Sequence, residues 1–95
     1  MRVGNFDKQP DERRRLAIDY KDALAQGDTI SGTELKSVSP AGELSVDTLV
    51  VEEPQVLFFI AGGLDNATYV VTITTTTNSG EVFEDEIRVR IKERN

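Results

Sequence analysis

Carboxylates are the side chains of this sequence that could carry acid–base chemistry. Histidine and cysteine are absent, so imidazole bases, Ser-His-Asp triads, thiolate nucleophiles and disulfides are excluded. Adjacent acids occur at Glu52-Glu53 and at Glu84-Asp85-Glu86. Neighbours along a strand point to opposite faces, so these acids would not converge on one substrate atom. We therefore expect no catalytic residue and no enzyme.

Sequence motifs for metal or cofactor binding are also missing. The chain lacks the Asp-x-Asp-x-Asp-Gly order of an EF-hand calcium loop. Gly62-Gly63 is followed by neither Gly-Lys-Ser/Thr nor a predicted helix, as a phosphate-binding loop requires. We expect no metal and no cofactor, and we interpret Gly62 and Gly63 as structural residues that end a strand.

Charge is distributed unevenly along the chain, whose formal net charge is −6. Residues 1–15 hold five basic and three acidic side chains, and residues 87–95 hold four basic and one acidic. The segment between them holds two basic and thirteen acidic side chains. An acidic chain is poorly suited to a phosphate backbone, so we expect no nucleic-acid partner. The basic ends could meet the acidic body of another copy, and an ordinary solvated surface is the alternative.

Candidate assembly contacts follow from this distribution. They are seven residues selected from the two basic ends: Pro10, Arg13, Arg14, Arg15, Arg88, Arg90 and Lys92. Residues 1–15 are predicted to be a polar N-terminal arm, which either orders on a neighbouring protein or stays a solvated tail. Residues 16–95 are predicted to form a single domain, because a chain of 95 residues has no room for a second core.

Strand patterns predict that this domain is all-β. Thr68–Thr77 is rich in β-branched residues, and Tyr69, Val71 and Ile73 are expected to face the core. Asn78-Ser79-Gly80 predicts a turn into an antiparallel strand over 82–92, in which apolar and charged residues alternate.

Earlier strands are predicted at 16–20, 29–38, 44–51 and 56–61, separated by turns. The run 56–61 is expected to be deeply buried. A helix over residues 11–25 is the alternative to the first of these strands. Six to seven short antiparallel strands at this spacing are typical of an immunoglobulin-like or fibronectin III-like sandwich.

Tyr69 has two possible structural roles in such a sandwich. A tyrosine near the start of the penultimate strand often hydrogen-bonds to the preceding corner, here residues 62–67. A simple core aromatic is the alternative.

Membrane association is not expected. The longest apolar run, residues 56–61, is far shorter than the roughly 18 residues that suggest a membrane span. Residues 1–5 show no signal-peptide pattern. We therefore expect a chain that is made in the cytoplasm.

The order of motifs resembles that of small bacteriophage and prophage structural proteins described as fibre-tail or head-tail adaptors. The similarity begins with three motifs: Lys8-Gln9-Pro10-Asp11-Glu12, Ile18-Asp19-Tyr20 and Gly27-Asp28-Thr29-Ile30. It continues through the Gly62-Gly63 break, the Tyr69 strand, the Thr76–Gly80 hairpin and the final strand with its Lys92-Glu93-Arg94 end. Relatives often have tryptophan where this chain has Tyr20, so the packing of the first strand can differ.

This resemblance implies an immunoglobulin-like, non-enzymatic virion protein that connects larger parts in the neck or at the attachment of tail fibres. Its implied partners are other phage structural proteins and copies of itself, in a symmetric assembly. Two other roles stay open from the residues: a capsid-decorating protein, and a bacterial immunoglobulin-like module that binds protein or carbohydrate. A repeated array or a secretion signal would favour the bacterial module, and neither is visible in this sequence.

Overall fold

The computed structural model describes residues 2–93, which form seven strands and no helix. The strands are β1 (Arg2–Lys8), β2 (Arg13–Asp19), β3 (Ile30–Ser39), β4 (Leu44–Glu52), β5 (Gln55–Gly62), β6 (Thr68–Thr77) and β7 (Val82–Ile91). The predicted all-β class is confirmed, and each strand predicted from the sequence is present to within a few residues. The described residues include no helix that is long and apolar enough to cross a bilayer.

Two sheets form the sandwich. Sheet A has the strand order β1-β7-β6-β3, and sheet B has the order β2-β5-β4. If β2 to β7 are lettered B to G, sheet B is B-E-D and sheet A contains C-F-G. These six strands pair as in an immunoglobulin constant-type domain, whereas β1 joins the sheet of β7 and not, as the first strand of that domain does, the sheet of β2. The architecture is therefore compatible with the predicted immunoglobulin-like sandwich.

One strand pair departs from the prediction that all strands are antiparallel. β1 runs parallel to β7, from Arg2 opposite Asp85 to Lys8 opposite Ile91. A parallel pair cannot be joined by a tight hairpin, and here the five strands from β2 to β6 separate its two members. The other four pairs are antiparallel.

The predicted N-terminal arm is wrong where the structure describes it. Residues 2–8 form β1 within sheet A, and β2 begins at Arg13, so the predicted boundary after residue 15 falls inside a strand. Phe6 packs against the core, whereas Asn5 and Asp7 are exposed on this edge strand. Edge strands often carry charged side chains, which is why composition alone suggested a tail. Met1 of the predicted arm and residues 94–95 of the predicted domain lie outside the described residues.

Residues 11–25 contain β2 followed by a turn, and not the alternative helix. Leu16 and Ile18 pack against the core, and Tyr20 is fully buried. The backbone N–H groups of Ala23 and Leu24 both donate to the carbonyl of Tyr20. A single turn therefore takes the place of the helix that this composition would permit.

The core lies between the two sheets. Sheet A contributes five buried residues from its central strands: Tyr69, Val71, Ile73, Val89 and Ile91. Sheet B contributes Leu44, Phe58 and Ile60 to the same cluster. The expected core positions of the Thr68–Thr77 strand are confirmed.

Burial alternates along β5, so the prediction that residues 56–61 are deeply buried is only half right. Val56, Phe58 and Ile60 are buried, whereas Leu57 and Phe59 are partly exposed on the opposite face. Side chains of a strand alternate between its faces, and no third layer covers sheet B among the described strands.

The two sides of the sandwich differ in the regularity of their edge strands. β3 and β4 contact each other on one side, and both contain register shifts. The shift in β4 lies between Asp47 and Val50, where Thr48 has a φ of 55°. β1 and β2, on the other side, pair with their neighbours without a register shift. We call these the bulged side and the regular side.

Candidate interaction surfaces

The outer face of sheet B brings basic, acidic and apolar side chains together. Leu16 and Ile18 pack into the core, so the odd-numbered residues of β2 face outward, opposite the odd-numbered residues of β5. The register arranges this face in four rows: Arg13–Ala61–Ser45, Arg15–Phe59–Asp47, Ala17–Leu57–Val50 and Asp19–Gln55–Glu52. Arginines therefore lie at one end of the face, and Asp19 and Glu52 lie at the other.

The centre of this face is apolar. Ala17 is exposed, Val50 is 43% exposed, and Leu57 and Phe59 are half-buried; we call these four residues the apolar patch. A recess of about 190 Å³ on this face is lined by Arg15, Thr48, Val50, Leu57, Phe58 and Phe59. The solvated face of an antiparallel sheet is commonly polar. An apolar face with a charged rim is typical of a surface that binds another protein.

Arg13 is held against the apolar patch. Its Nη2 forms an ion pair with Oδ1 of Asp47 at 2.6 Å, and its Cζ lies 3.8 Å from the centre of the Phe59 ring. Hydrogen bonds from the Thr48 hydroxyl and from Arg13 lower the pKa of the Asp47 carboxyl. Arg13 and Asp47 therefore satisfy each other's charge within one chain.

Arg15 and Asp19 differ from that pair. Among residues 2–93, neither forms an ion pair. Asp19 accepts a hydrogen bond from the backbone N–H of Lys21 at 2.9 Å, and Arg15 lines the recess of the apolar patch. Both are exposed on the same face of β2, so their charges are available to another molecule.

Arg14 and Pro10 lie elsewhere, at the start of the regular side. Arg14 is on the opposite face of β2 from Arg15, 3.8 Å from Glu12 and with its Cζ 5.3 Å from the centre of the Phe6 ring. Pro10 is half-buried between β1 and β2, and its carbonyl accepts a hydrogen bond from Nζ of Lys8 at 3.3 Å.

Lys8, next to this turn, is a cation inside the fold. Its side chain is only 1% exposed, and Nζ donates to the carbonyl of Gln9 at 2.6 Å. Burial lowers the pKa of Lys8, while the nearby charges of Glu12 and Asp11 act in the opposite direction. Lys8 therefore has a structural role in this turn, which was not predicted from the sequence.

Arg88, Arg90 and Lys92 lie on sheet A and the segment that follows it. Arg88 and Arg90 line an open recess of about 370 Å³ with residues of β1, and Nε of Arg90 is 3.6 Å from Oδ1 of Asp7. Nζ of Lys92 donates to Oδ1 of Asn66 at 3.1 Å. The seven predicted contact residues are thus divided between the two sheets and do not form one surface, and their role in assembly stays a prediction.

The corner between β5 and β6 is shaped by Tyr69 and two glycines. The Tyr69 hydroxyl accepts a hydrogen bond from the backbone N–H of Leu64 at 3.1 Å, which is the kind of bond that a tyrosine corner makes. Gly62 has a φ of 78°, and a Cβ there would overlap the carbonyl oxygen of Glu43. Gly63 has a φ of 97°, and a Cβ there would lie 2.6 Å from Cγ1 of Ile91.

Three of the five acids that were considered for catalysis, Glu53, Glu84 and Asp85, have structural contacts. Oε1 of Glu53 accepts a hydrogen bond from the backbone N–H of Ile30 at 2.7 Å, and Glu84 forms an ion pair with Lys36. Asp85 is buried and accepts a hydrogen bond from the Tyr20 hydroxyl. Within residues 2–93, no three acidic side chains are grouped in the manner of a metal site.

Sequence reasoning missed the apolar patch because it assigned the whole run 56–61 to the core. A signal was present in the sequence. An unbroken apolar run in an antiparallel strand places apolar side chains on both faces, and the core of a two-layer sandwich covers only one of these faces. Leu57 and Phe59 could therefore have been assigned to the surface.

Comparison with solved structures and curated proteins gives little information about function. Curated protein sequences gave no match. A crystal structure of a 2,6-sialyltransferase from Vibrionaceae Photobacterium sp. JT-ISH-224, in a ternary complex with CMP and lactose, is 13% identical with a TM-score of 0.42. The alignment covers 97% of this chain but only 18% of that one. This likeness carries no argument about activity.

Comparison with protein families is informative. Residues 8–90 match the family described as "Podophage GP4 fiber-tail adaptor protein gp77". The match extends from the buried Lys8 at the end of β1 to Arg90 in β7, so it includes nearly the whole sandwich. The resemblance noted in the sequence is thereby confirmed: the chain belongs to the gp77 family of podophage fibre-tail adaptor proteins.

Proposed function

We propose that the protein is a non-enzymatic component of the phage virion that joins other virion proteins in the neck or at the attachment of tail fibres. Membership of a fibre-tail adaptor family supports this role. It also favours an adaptor over the two alternatives that the residues had left open, a capsid-decorating protein and a bacterial binding module.

The contrast between the two outer faces of the sandwich carries this proposal. Sheet A presents mainly threonine and charged side chains, including Thr74, Thr76 and Glu34 around an open polar recess, and its exposed Val82 and Leu35 do not line that recess. Sheet B presents the apolar patch with Arg15 beside it. Protein-binding surfaces commonly combine an apolar centre with a polar rim that includes arginine. We therefore assign the outer face of sheet B as the main contact surface for another virion protein.

The size of this face limits how it would bind. Three strands and four rows of residues span roughly 10 by 20 Å between the outermost backbone positions, from the usual spacings of a sheet. A standard protein interface removes about 800 Å² of surface from each partner. One such face is too small for a stable interface, so the adaptor would bind through several copies or through additional contacts of its loops.

A matched pair of substitutions tests the assignment. Val50→Lys places a charge in the apolar patch, and Val82→Lys makes the same change at a valine that is 62% exposed on sheet A. Each variant would be supplied in trans to a phage that lacks its own copy of the gene. Mass spectrometry of the purified particles would measure incorporation of the chain, and electron microscopy would count the attached fibres.

We expect Val50→Lys to reduce incorporation of the chain or of fibres, and Val82→Lys to behave as wild type. Equal incorporation and normal fibres with both variants would contradict the assignment of the face. Complete particles that carry fibres in the absence of the gene would contradict the adaptor role itself.

A further inference from the structure

β2 has a free backbone edge whose residues can be identified individually. The N–H of Tyr20 donates to the carbonyl of Pro54 at 3.0 Å, and these residues continue the register that pairs Asp19 with Gln55. Hydrogen-bonded pairs alternate along an antiparallel ladder. Even-numbered residues of β2 therefore bond to β5, and the odd-numbered residues 13–19 direct their N–H and C=O groups away from it. No strand covers that edge within residues 2–93.

The charges along this edge are complementary to those of a second, antiparallel copy of the same edge. Arg15 and Asp19 lie two positions on either side of Ala17, both exposed and both without an ion pair among the described residues. An antiparallel copy of β2 centred on Ala17 would place Arg15 of each chain directly opposite Asp19 of the other. Opposite charges at such cross-strand positions stabilise strand pairing.

We propose that β2 pairs with β2 of a second copy of this chain, antiparallel and about a two-fold axis at Ala17. Sheet B of the two copies then becomes one continuous six-stranded sheet. Leu16 of each chain lies opposite Ile18 of the other, on the core-facing side of the strands. The pairing adds about six backbone hydrogen bonds, made by residues 15–19 of the two chains.

The apolar surface of the regular side supports a second copy as the occupant. A recess of about 190 Å³ lies between β1 and β2, lined by Gly4, Asn5, Phe6, Leu16, Ala17 and Ile87. A neighbouring β2 would lie against the Leu16–Ala17 wall of this recess. β2 also pairs with β5 without a register shift, so its backbone is straight enough to accept another strand.

The first residues of β2 limit which strands can bind. Arg13 and Arg14 are charged residues on an edge strand, a feature that discourages indiscriminate strand pairing. The guanidinium of Arg13 is already paired with Asp47, and that of Arg14 lies near Glu12. The usable edge is therefore short, and a strand with charges complementary to Arg15 and Asp19 is favoured. The second β2 has those charges at the required spacing.

This self-association does not depend on the proposed virion partner. It would, however, enlarge the outer face of sheet B that a partner can contact. The two apolar patches would lie on the same side of the six-stranded sheet, since both face outward from sheet B. A dimer would thus present two copies of the face to one partner.

A charge-exchange experiment tests the register. Arg15→Asp and Asp19→Arg each place like charges opposite one another in the homodimer, whereas a mixture of the two variants restores both opposite pairs. Sedimentation equilibrium at physiological salt would measure association of the wild type, each variant, their mixture and the double variant. Arg88→Asp and Glu34→Arg, exposed residues of sheet A, are controls with the same changes of charge.

We expect each single variant to dimerise on the order of tenfold more weakly than the wild type. The mixture and the double variant should recover most of the loss, and the two controls should dimerise as wild type. A wild type that stays monomeric at millimolar concentration would overturn the proposal, as would a dimer that is unaffected by either single variant.

Two substitutions at the axis test the backbone pairing itself. The N–H of Ala17 points away from β5, so Ala17→Pro removes no hydrogen bond within the chain but blocks the new strand pair; a native circular dichroism spectrum would verify folding.

Hydrogen-bonded antiparallel partners have Cα atoms about 5.5 Å apart, within reach of a disulfide. Because the chain has no cysteine, Ala17→Cys should form a single covalent dimer on mild oxidation, whereas Ser45→Cys on the other edge of sheet B should not. If the copies met elsewhere, Ala17→Pro would leave association intact and Ala17→Cys would cross-link no better than Ser45→Cys. Either result would overturn the proposal.

Discussion

The hydroxyl of Tyr20 donates a 2.5 Å hydrogen bond to Oδ2 of Asp85, which connects the end of β2 in sheet B to β7 in sheet A through the core. The same hydroxyl lies 3.0 Å from Oγ1 of Thr75, and the Tyr20 ring stacks on Phe83 with centroids 5.4 Å apart. Asp85 is an acid on the core-facing side of β7, the side that also carries Val89 and Ile91. The structure shows what it bonds to there.

Tyr20→Phe should destabilise the fold although it keeps the stacked ring. The substitution removes a donor from a buried carboxylate and a partner from a buried hydroxyl, so the free energy of unfolding should fall by about 1–3 kcal/mol. Urea unfolding at neutral pH would measure the change. An unchanged midpoint with an unchanged slope would show that this bond contributes nothing to stability.

Tyr69→Phe should have a smaller effect and provides a comparison for the first substitution. It removes a neutral hydrogen bond from the Leu64 N–H while the buried ring stays in the core. We expect a loss of about 1 kcal/mol. A larger loss than that caused by Tyr20→Phe would contradict the greater importance assigned to the bond with Asp85.

Gly62→Ala should destabilise the fold more than Gly80→Ala. Both glycines have positive φ, at 78° and 99°, so both substitutions carry the backbone penalty of about 1–2 kcal/mol. A Cβ at Gly80 meets no atom within 4 Å, whereas a Cβ at Gly62 overlaps the carbonyl oxygen of Glu43. The difference between their thermal midpoints measures this overlap, and equal midpoints would mean that the corner relaxes around it.

Asp28 should make stability depend on acid pH. Hydrogen bonds from the Ser79 side chain, chiefly, and from the backbone of Thr29 and Ser79 lower the pKa of Asp28 from its usual 3.8. A carboxyl with a lowered folded-state pKa contributes stability above about pH 4, and this contribution is lost as pH falls through the folded-state value. Asp28→Asn should be less stable than wild type at pH 7, and the gap should close in strong acid. A gap that is constant with pH would exclude this linkage.

The strands on which the sequence pattern was strongest were predicted well. Thr68–Thr77 has the predicted bounds, because β-branched residues on a buried central strand leave little choice of structure or register. β1 was missed since its exposed residues Asn5 and Asp7 are polar and its partner, β7, is at the far end of the chain. Local sequence patterns contain no information about such a distant partner.

The candidate surface could be predicted less well than the fold. Arg13, Arg14 and Arg15 were selected as one cluster, but alternation along β2 sends Arg14 to a different face, and only Arg13 has Asp47 as a partner. That partner is set by the alignment of β4 on β5, which a bulge at Thr48 displaces. A bulge changes the cross-strand neighbours of every residue beyond it, counted here from the turn between β4 and β5, so these contacts required the structure.

In the proposed pairing of two copies, the bulges in β3 and β4 determine where strand addition ends. A chain with two straight edges could add copies without limit, as in a cross-β fibril. Here the register shifts interrupt both edges of one side, so the strands of residues 2–93 leave one side suited to strand addition. When two copies join through β2, each uses its suitable edge of sheet B, and the edges of sheet B that remain are the bulged β4 strands. The same fold that offers β2 for pairing thus ends the extension of sheet B at two copies in the proposed dimer.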